Sequence, residues 1–242
     1  QDVELYRRAG FRINSMGCSY TLDIRDYSLA GKHFMKLRNK IRQPAKFGVE
    51  TGEIGREVSR SHAKVDVLDA ISQDWLKKKG ERVKMLSLLV GESASINRPG
   101  TRCFLAIRDG QPIGFISYVP AFGRYEGYMH DLTRKVPDAP AGTMELINHT
   151  AIERFRSENV SYLNFGFTPF VGARDPIEGS SRFVGAVTRA LERWGDRVYP
   201  AQSQVTYKMK WGPQHIEQEY VAYKGRFRLR DVWALLRATN SV

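Results

Sequence analysis

A carboxylate and a guanidinium three residues apart are the first candidates for chemistry. Asp131 and Arg134 close a strand-like run, shortly before a loop rich in proline and glycine. The carboxylate suits an ammonium group, and the guanidinium suits a phosphate or a carboxylate. Because side chains alternate along a strand, we expect Asp131 and Thr133 on one face, with His130 and Arg134 on the other. An exposed ion pair at the strand end fits the same residues, so this pattern leaves both interpretations open.

Two lysines near the C-terminal end form the second candidate. Polar and apolar residues alternate between Gln204 and Trp211, which predicts a strand. Lys208 and Lys210 would share one face of that strand, with Tyr207 on the other. Two like charges on one face need a counter-anion or open water. We therefore expect either contact with a phosphate or an ester carbonyl, or a solvated surface.

The clearest charge feature lies between residues 28 and 48, where cations occur without an acidic residue. They are Lys32, Lys36, Arg38, Lys40, Arg42 and Lys46. Their spacing of four residues, on either side of an apolar stripe, predicts one helix that Pro44 and Gly48 end. Like charges at this spacing cost about 0.2–0.5 kcal/mol per pair, so we expect an anion, namely the phosphates of a nucleic acid. A merely solvated basic face is the alternative.

These candidates depend on a predicted core between residues 101 and 166. Two apolar runs flank Asp109-Gly110, which is a strong hairpin signal. In order, the predicted strands, loop, helix and returning strand are Cys103–Ile107, Ile113–Val119, Tyr125–Arg134, Pro137–Gly142, Met144–Glu158 and Tyr162–Phe165. This order suits an α/β acyltransferase of the GNAT-like fold, with a mixed, mostly antiparallel sheet flanked by helices and a cleft where strands splay.

Hydrophobic periodicity predicts further elements around this core. They are helices over residues 64–79, 182–194 and 229–238, strands over 20–24 and 219–223, and a loop over 51–62. In the last helix, Trp233 and Leu236 are expected to face inward. Gly166 opens a glycine and aromatic stretch at a strand end, where α/β sheets commonly present a ligand cleft.

The amino-acid composition says more about the binding partners of the protein than about its fold. The 242 residues are 42% hydrophobic and carry a formal net charge of +12, with a pI near 9.8. Such a charge favours polyanionic partners, meaning nucleic acid or an anionic membrane surface. The two cysteines are far apart and predict reduced thiols. The five histidines have no metal-ligand spacing, so we expect neither a metal nor a cofactor.

Several motifs, in this order, carry a resemblance to one family. They are Ser28-Leu29-Ala30-Gly31-Lys32, Leu37-Arg38-Asn39-Lys40, Asp131-Leu132-Thr133-Arg134, the loop Pro137–Glu145, Leu163–Pro169 and Tyr207-Lys208-Met209-Lys210-Trp211. Over nearly the whole chain they resemble the cytosolic synthase domain of bacterial lysyl- and alanyl-phosphatidylglycerol synthases, the multiple peptide resistance factors. That family has two GNAT-like units in tandem and uses aminoacyl-tRNA, in place of acetyl-CoA, as the donor.

The resemblance implies a division of the chain. Residues 1–27 would be the tail of an upstream GNAT-like unit, and residues 28–242 the catalytic aminoacyltransferase unit. The acceptor would be an anionic lipid of the phosphatidylglycerol type or a soluble small molecule. The protein would then work in the cytoplasm, with peripheral contact at the inner face of the membrane.

The resemblance also implies roles for the candidate residues. Asp131 and Arg134 would line the aminoacyl site, with Glu145 and Asp138 as further substrate-binding residues. Lys208 would lie near the scissile ester. Lys210 would stand beside it, and the basic helix would meet the tRNA backbone.

The implied reaction is attack by the acceptor on the ester that joins an amino acid to the tRNA 3′ end. Lys208, or backbone N–H groups near Gly166, would stabilise the oxyanion, and Asp131 would hold the α-ammonium. One alternative is an acetyl-CoA-dependent N-acetyltransferase, but residues 137–142 lack the glycine pattern that cradles a pyrophosphate. The other is a non-catalytic RNA-binding module, which the charge alone would allow.

Overall fold

The computed structural model describes residues 3–59, 65–79, 96, 98–172, 179–194, 201–226 and 228–238. Its elements, in chain order, are α1 (Val3–Arg8), β1 (Arg12–Asp23), α2 (Met35–Arg42), β2 (Glu50–Glu53), α3 (Val65–Lys79), β3 (Arg102–Arg108), β4 (Gln111–Ala121), β5 (Gly127–Lys135), α4 (Thr143–Ser157), β6 (Tyr162–Pro169), α5 (Arg182–Trp194), α6 (Ala201–Met209), β7 (His215–Tyr223) and α7 (Leu229–Ala238). They fall into two compact units. The central unit comprises residues 23–164 and 237–242, and the terminal unit comprises residues 1–22 and 165–236.

The central unit contains the predicted meander. Strands β2, β3, β4 and β5 pair antiparallel in that order, and the start of β6 pairs parallel with β5. The β3–β4 turn has Asp109 at φ 53° and Gly110 at φ 74°. Left-handed backbone at both central residues is what a tight two-residue hairpin requires, so the Asp-Gly signal is confirmed. The pairing of β5 with β6 spans only three residue pairs, Gly127–Tyr162 to Met129–Asn164.

Helices cover both faces of the sheet in the central unit. On one face Leu68 and Ile71 of α3 pack with Leu105 and Phe115. On the other, the Phe155 ring of α4 meets the rings of Phe104 and Tyr118 edge-on, with centroids 5.7 and 5.2 Å away. Because neighbouring residues on one strand point to opposite faces, the two apolar runs of the hairpin serve both layers. The α/β class and the mixed, mostly antiparallel sheet flanked by helices are therefore confirmed.

The predicted loop over residues 51–62 is wrong at its start, where strand β2 forms. The carboxylate of Glu53 is buried and accepts from Nε and NH2 of Arg102, both at 2.6 Å. A short polar segment is typical of a loop. A buried carboxylate can nevertheless lie in a strand when a guanidinium neutralises its charge and satisfies its hydrogen bonds. The ion pair between Glu53 and Arg102 on the neighbouring strand β3 thus explains why this polar segment forms a strand, which local composition does not indicate.

The terminal unit holds β1 and β7 as an antiparallel pair, from Arg12–Tyr223 to Thr21–His215, with a register shift between Ser15 and Gly17. The later part of β6 also belongs to this unit. The predicted helix over residues 182–194 and the strand ending at Tyr223 are confirmed. The predicted inward position of Trp233 is wrong, because its side chain is 58% exposed. The side chain of Leu236 lies outside the described part of the structure.

The predicted strand over residues 204–211 is also wrong, because most of this segment forms helix α6. A short run with alternating polarity fits either element, and the pattern counted Lys208 as a surface residue. In the structure Lys208 is buried on the same helix as Ala201, seven residues earlier. Residues seven apart lie on one helical face, so the buried face of α6 includes a lysine.

Candidate functional site

The ammonium group of Lys208 is enclosed by oxygen atoms from the end of β6. Nζ donates to the carbonyl oxygens of Gly166 at 2.8 Å and Phe167 at 3.2 Å, and to Oγ1 of Thr168 at 2.7 Å. It also lies 5.3 Å from the centroid of the Tyr20 ring. Lys208 is only 4% exposed. All three hydrogens of a protonated Nζ are thus engaged within the terminal unit.

Burial changes the protonation of Lys208. Loss of hydration lowers the pKa of its ammonium from 10.5 to about 7. The side chain therefore exchanges protons near neutral pH, and either form can be satisfied here. The charged form donates three hydrogen bonds, whereas a neutral amine accepts one from the Thr168 hydroxyl. A lysine of this kind is a candidate for a functional site, since strongly shifted pKa values cluster there.

Lys210 does not accompany Lys208, as the predicted strand required. It follows α6, and two residues along a helix are turned about 200° from each other. The ammonium of Lys210 lies 4.6 Å from the centroid of the Tyr207 ring, a cation–π contact. The prediction of two lysines on one strand face is therefore wrong.

A β-bulge changes how Asp131 is oriented in the central unit. Ile116 pairs with Thr133. Two residues later, Tyr118 pairs with His130, so three steps along β5 oppose two steps along β4. Thr133 and His130 therefore lie on the same face of the sheet. Strict alternation, which separated these two side chains, is wrong at this point.

The same bulge brings Asp131 and Arg134 onto one face. Ser117 Oγ donates to Asp131 Oδ2 at 3.3 Å and accepts from the backbone N–H of Leu132 at 3.0 Å. Phe115 lies on the same side of β4 as Ser117 and pairs with Arg134. The prediction that Asp131 and Arg134 face opposite sides is therefore wrong, and the correction strengthens their joint candidacy.

Arg134 is a buried cation beside this carboxylate. Burial lowers the pKa of its guanidinium, and the negative charge of Asp131 partly offsets this effect, so that the resulting pKa is about 10. Arg134 therefore remains protonated at neutral pH. Its NH1 donates to the carbonyl of Thr133 at 3.0 Å. A charged guanidinium and a carboxylate on one sheet face can recognise a zwitterionic or ester-bearing group.

The two further substrate-binding candidates differ in burial. Glu145 is buried in the first turn of α4, and its Oε1 lies 3.8 Å from Nζ of Lys40. Asp138 is exposed, and its Oδ2 accepts from NH2 of Arg108 at 3.1 Å. An exposed ion pair such as that of Asp138 contributes little to stability, so its presence does not explain why Asp138 occupies this position. The roles of Glu145 and Asp138 in substrate binding remain predictions.

Helix α2 is shorter than the single helix predicted from Lys32 to Lys46. It begins after Phe34, and a 3₁₀ turn, Pro44–Phe47, follows it. Lys32 precedes the helix and Lys46 lies in the turn, so the two basic rows do not run along one continuous axis. NH1 of Arg38 donates to the carbonyl oxygens of Leu29 and, at 2.7 Å, Gly31.

The remaining cations of this segment stay at the surface. They are Lys32, Lys36, Lys40, Arg42 and Lys46, all of them exposed. Contact between these residues and tRNA remains a prediction. Arg38, in contrast, is half-buried and holds the loop that precedes α2.

Sequence reasoning missed a buried polar cluster between α4 and the sheet. Asn148 is fully buried, and its Oδ1 accepts from the Tyr118 hydroxyl at 2.8 Å and lies 2.7 Å from Nε2 of His130. The signal was an asparagine among the apolar residues Ile147 and Ile152, since a buried amide requires polar partners.

Neither a metal centre nor a membrane-crossing helix emerges from the described ranges. Within them, no group of three or more histidine, cysteine or acidic side chains has a geometry that could hold a metal ion. No helix there combines the length and the apolar composition needed to cross a bilayer.

Comparison with known proteins identifies relatives over most of the chain. The family model described as phosphatidylglycerol lysyltransferase, C-terminal, matches residues 1–223. The lysylphosphatidylglycerol biosynthesis bifunctional protein LysX of Nocardia farcinica is 31% identical over 222 residues, covering 86% of this chain and 19% of the relative. LysX of Mycobacterium marinum is 25% identical over 229 residues, covering 89% and 20%. The chain spans about a fifth of the length of these curated relatives.

Solved structures share the fold. The C-terminal domain of an Agrobacterium fabrum protein named as a lysylphosphatidylglycerol synthetase superposes with a TM-score of 0.73 at 22% identity, covering 98% of this chain and 68% of that one. L-PGS from Bacillus licheniformis gives a TM-score of 0.72 at 20% identity, covering 98% and 69%. At such identities the likeness concerns the fold, and it agrees with the GNAT-like class expected from the sequence.

Proposed function

The chain belongs to the family of phosphatidylglycerol lysyltransferase C-terminal domains, and from this premise we propose that it is an aminoacyltransferase that uses aminoacyl-tRNA as donor. It would move the amino acid from the tRNA 3′ ester to an acceptor hydroxyl or amine. The observation that carries the proposal is the family match over residues 1–223. The buried, proton-exchanging Lys208 and the joint placement of Asp131 and Arg134 support it.

The environment of the α4 N-terminus argues against an acetyl-CoA donor. Gly142 precedes α4 with φ 93°, and a Cβ placed on it would lie 2.0 Å from the carbonyl oxygen of Lys40. Residues of α2 therefore cover the point where free amides would have to cradle a pyrophosphate. Glu145 adds a buried carboxylate in the first turn of α4. Its negative charge interacts favourably with the positive end of the helix dipole, but it repels an incoming anion such as a pyrophosphate.

The proposed reaction needs no cofactor because the aminoacyl ester is already activated. The acceptor oxygen or nitrogen bonds to the ester carbonyl carbon, and an oxyanion forms. When that oxyanion collapses, the bond to the tRNA ribose oxygen breaks. The ribose oxygen takes up a proton, and the acceptor gives one up. The protein would mainly orient the two substrates and stabilise negative charge.

We assign Lys208 to charge stabilisation at the ester. Its ammonium already donates to Gly166, Phe167 and Thr168, so it would act through its charge and by fixing this backbone. Asp131 would bind the α-ammonium of the aminoacyl group. Arg134 would face the carboxyl-derived or phosphate oxygens.

Secondary roles remain for the other predicted residues. Glu145 and Asp138 would contribute to the binding of the amino acid, and Lys210 to that of the donor. The exposed cations around α2 would contact the tRNA backbone. We also retain, as a proposal, that residues 1–27 end an upstream GNAT-like unit and that residues 28–242 form the catalytic one.

The acceptor is proposed from the names of relatives. LysX proteins are named for lysylphosphatidylglycerol biosynthesis, so lysyl-tRNA and phosphatidylglycerol are the first pair to test. An anionic lipid acceptor would place the protein at the cytoplasmic face of a membrane, a surface that its net charge of +12 would favour. A soluble small molecule is the other acceptor compatible with the same chemistry.

The decisive experiment supplies a pool of radiolabelled aminoacyl-tRNAs with and without phosphatidylglycerol vesicles. We expect loss of label from one tRNA, with label appearing in lipid only when vesicles are present. Transfer to an added small molecule without vesicles would select the soluble acceptor. Acetylation with acetyl-CoA and no aminoacyl transfer would overturn the proposal, and salt-sensitive tRNA binding without turnover would leave a binding module.

A further inference from the structure

Helix α5 in the terminal unit carries a line of exposed arginines that the proposed site does not use. Arg182, Arg189 and Arg193 are all exposed. At 100° per residue they lie within about 40° of one another around the helix axis. The rise per residue separates them by about 10 Å and about 6 Å along that axis. They thus form one straight row of cations, named here the arginine row.

The opposite face of α5 anchors the helix. Val184 and Thr188 are buried, and the Thr188 hydroxyl donates to the Val184 carbonyl at 3.0 Å. The one acidic residue within α5 is Glu192, whose Oε1 accepts from the backbone N–H of Gly172 at 3.1 Å. The arginine row therefore lies on the exposed side of α5, across the helix from the buried Val184 and Thr188.

The type and spacing of these cations indicate phosphate ligands. Arg189 and Arg193 are four residues apart, where like charges oppose helix formation unless an anion lies nearby. Guanidinium groups bind phosphate oxygens through two parallel N–H donors, which a lysine cannot do. A row of separate guanidinium groups suits a ligand that presents several phosphates in succession.

A polynucleotide fits this row better than a lipid surface. An interfacial helix needs a broad apolar face to enter the headgroup region. Among the α5 side chains that the structure describes, the one large apolar side chain that is exposed is Phe183, which is 47% exposed and stands beside Arg182 at the start of the helix. Charge complementarity without apolar anchors is typical of contacts to a phosphodiester backbone.

We propose that the arginine row of α5 binds the phosphodiester backbone of the tRNA donor. This inference rests on the proposed function only in taking tRNA as the aminoacyl carrier. The contact surface that it names lies on the terminal unit. Its role is to hold the body of the RNA, not to take part in the transfer.

The test compares two triple variants that remove the same charge. One is Arg182→Gln/Arg189→Gln/Arg193→Gln. The matched control is Lys224→Gln/Arg226→Gln/Arg228→Gln, which changes exposed cations of the same unit. Fluorescence anisotropy with uncharged tRNA is recorded over a salt series. We expect the row variant to bind at least about tenfold more weakly and its log–log salt slope to fall by about 2, since each lost phosphate contact removes about 0.7–0.9.

The control variant should bind tRNA within about threefold of the wild type. Equal weakening of both variants would mean that total charge alone matters, and would overturn the inference. Unchanged tRNA binding together with lost sedimentation on phosphatidylglycerol vesicles would assign the row to a membrane and also overturn it. If the triple variant fails to fold by circular dichroism, Arg189→Gln alone is used, with an expected loss of about threefold and of about 0.8 in slope.

A second readout separates this inference from the proposed function. Transfer from a short aminoacylated acceptor-stem helix should be nearly unchanged in the row variant, whereas transfer from full-length tRNA should fall at subsaturating donor. If the wild type transfers from neither donor, yet its tRNA affinity still depends on the arginine row, the proposed function fails and the inference stands. Equal loss with both donors would overturn the inference.

Discussion

The basic segment around α2 and the basic helix α5 look alike in sequence but use their cations differently. In the α2 segment, Arg38 donates to backbone carbonyls and Lys40 lies near Glu145, so part of the charge maintains the fold. In α5 three arginines share one exposed line, while Val184 and Thr188 are buried on the other side of the helix. Charge density along a chain therefore does not reveal which cations are exposed in one row and which are held by the fold. The tertiary contacts around each segment decide the role of its cations.

Lys208 extends this comparison to a cation wholly inside the protein, and its loss should have the largest effect. We expect Lys208→Ala to lower turnover with aminoacyl-tRNA by about 10²–10³-fold, the size of effect seen when a group that stabilises charge in the transition state is removed. The affinity for tRNA should change less than twofold, since the side chain is buried. Single-turnover transfer and anisotropy measure the two quantities. Lys224→Ala, which removes an exposed lysine of the same unit, is the control. Parallel losses of turnover and affinity would make Lys208 a phosphate contact only.

Gly142→Ala tests how closely α2 packs against the start of α4. The new methyl group would meet the Lys40 carbonyl in a left-handed backbone region, so we expect a loss of about 3 kcal/mol in unfolding free energy. Urea unfolding measures it. Gly123→Ala is the control, because Gly123 has a similar φ of 92° but open space around its Cβ. It should lose only about 1 kcal/mol. Equal losses would show that backbone strain alone is responsible.

Lys208→Met sharpens the comparison through pH. Burial lowers the pKa of Lys208 to about 7 in the folded state, against 10.5 when unfolded. Between these values the unfolded chain binds one more proton, so wild-type stability should rise with pH by about 1.4 kcal/mol per unit relative to Lys208→Met. Below pH 7 the difference should be flat. Chemical unfolding from pH 6 to 10 tests this, and a constant difference throughout would mean that Lys208 stays charged.

Arg38→Gln and Arg42→Gln give the smallest contrast, within α2 itself. Arg38 supplies hydrogen bonds to the loop before α2, so its loss should cost about 1–2 kcal/mol of unfolding free energy. Arg42 is exposed and should cost less than about 0.5 kcal/mol. The thermal unfolding midpoints would rank the two variants. A larger loss of stability for Arg42→Gln than for Arg38→Gln would contradict the assignment of Arg38 to a structural role.

Sequence reasoning succeeded where the controlling interactions are local. The Asp109-Gly110 turn, helix α4 and helix α5 depend on neighbouring residues and on periodicity, and all three form as predicted. The prediction failed for α6, where a lysine occupies a buried position. It also failed at Asp131, where one extra residue in β5 shifts the register.

By itself, the sequence determined the α/β class, the family and the set of charged side chains from which a site can be built. Only the tertiary structure decided which of these charges are buried, paired or presented. The acceptors of Lys208 are about 40 residues away in the chain, at Gly166, Phe167 and Thr168. Burial and ion pairing arise from contacts between distant segments, and no local pattern of residues encodes them.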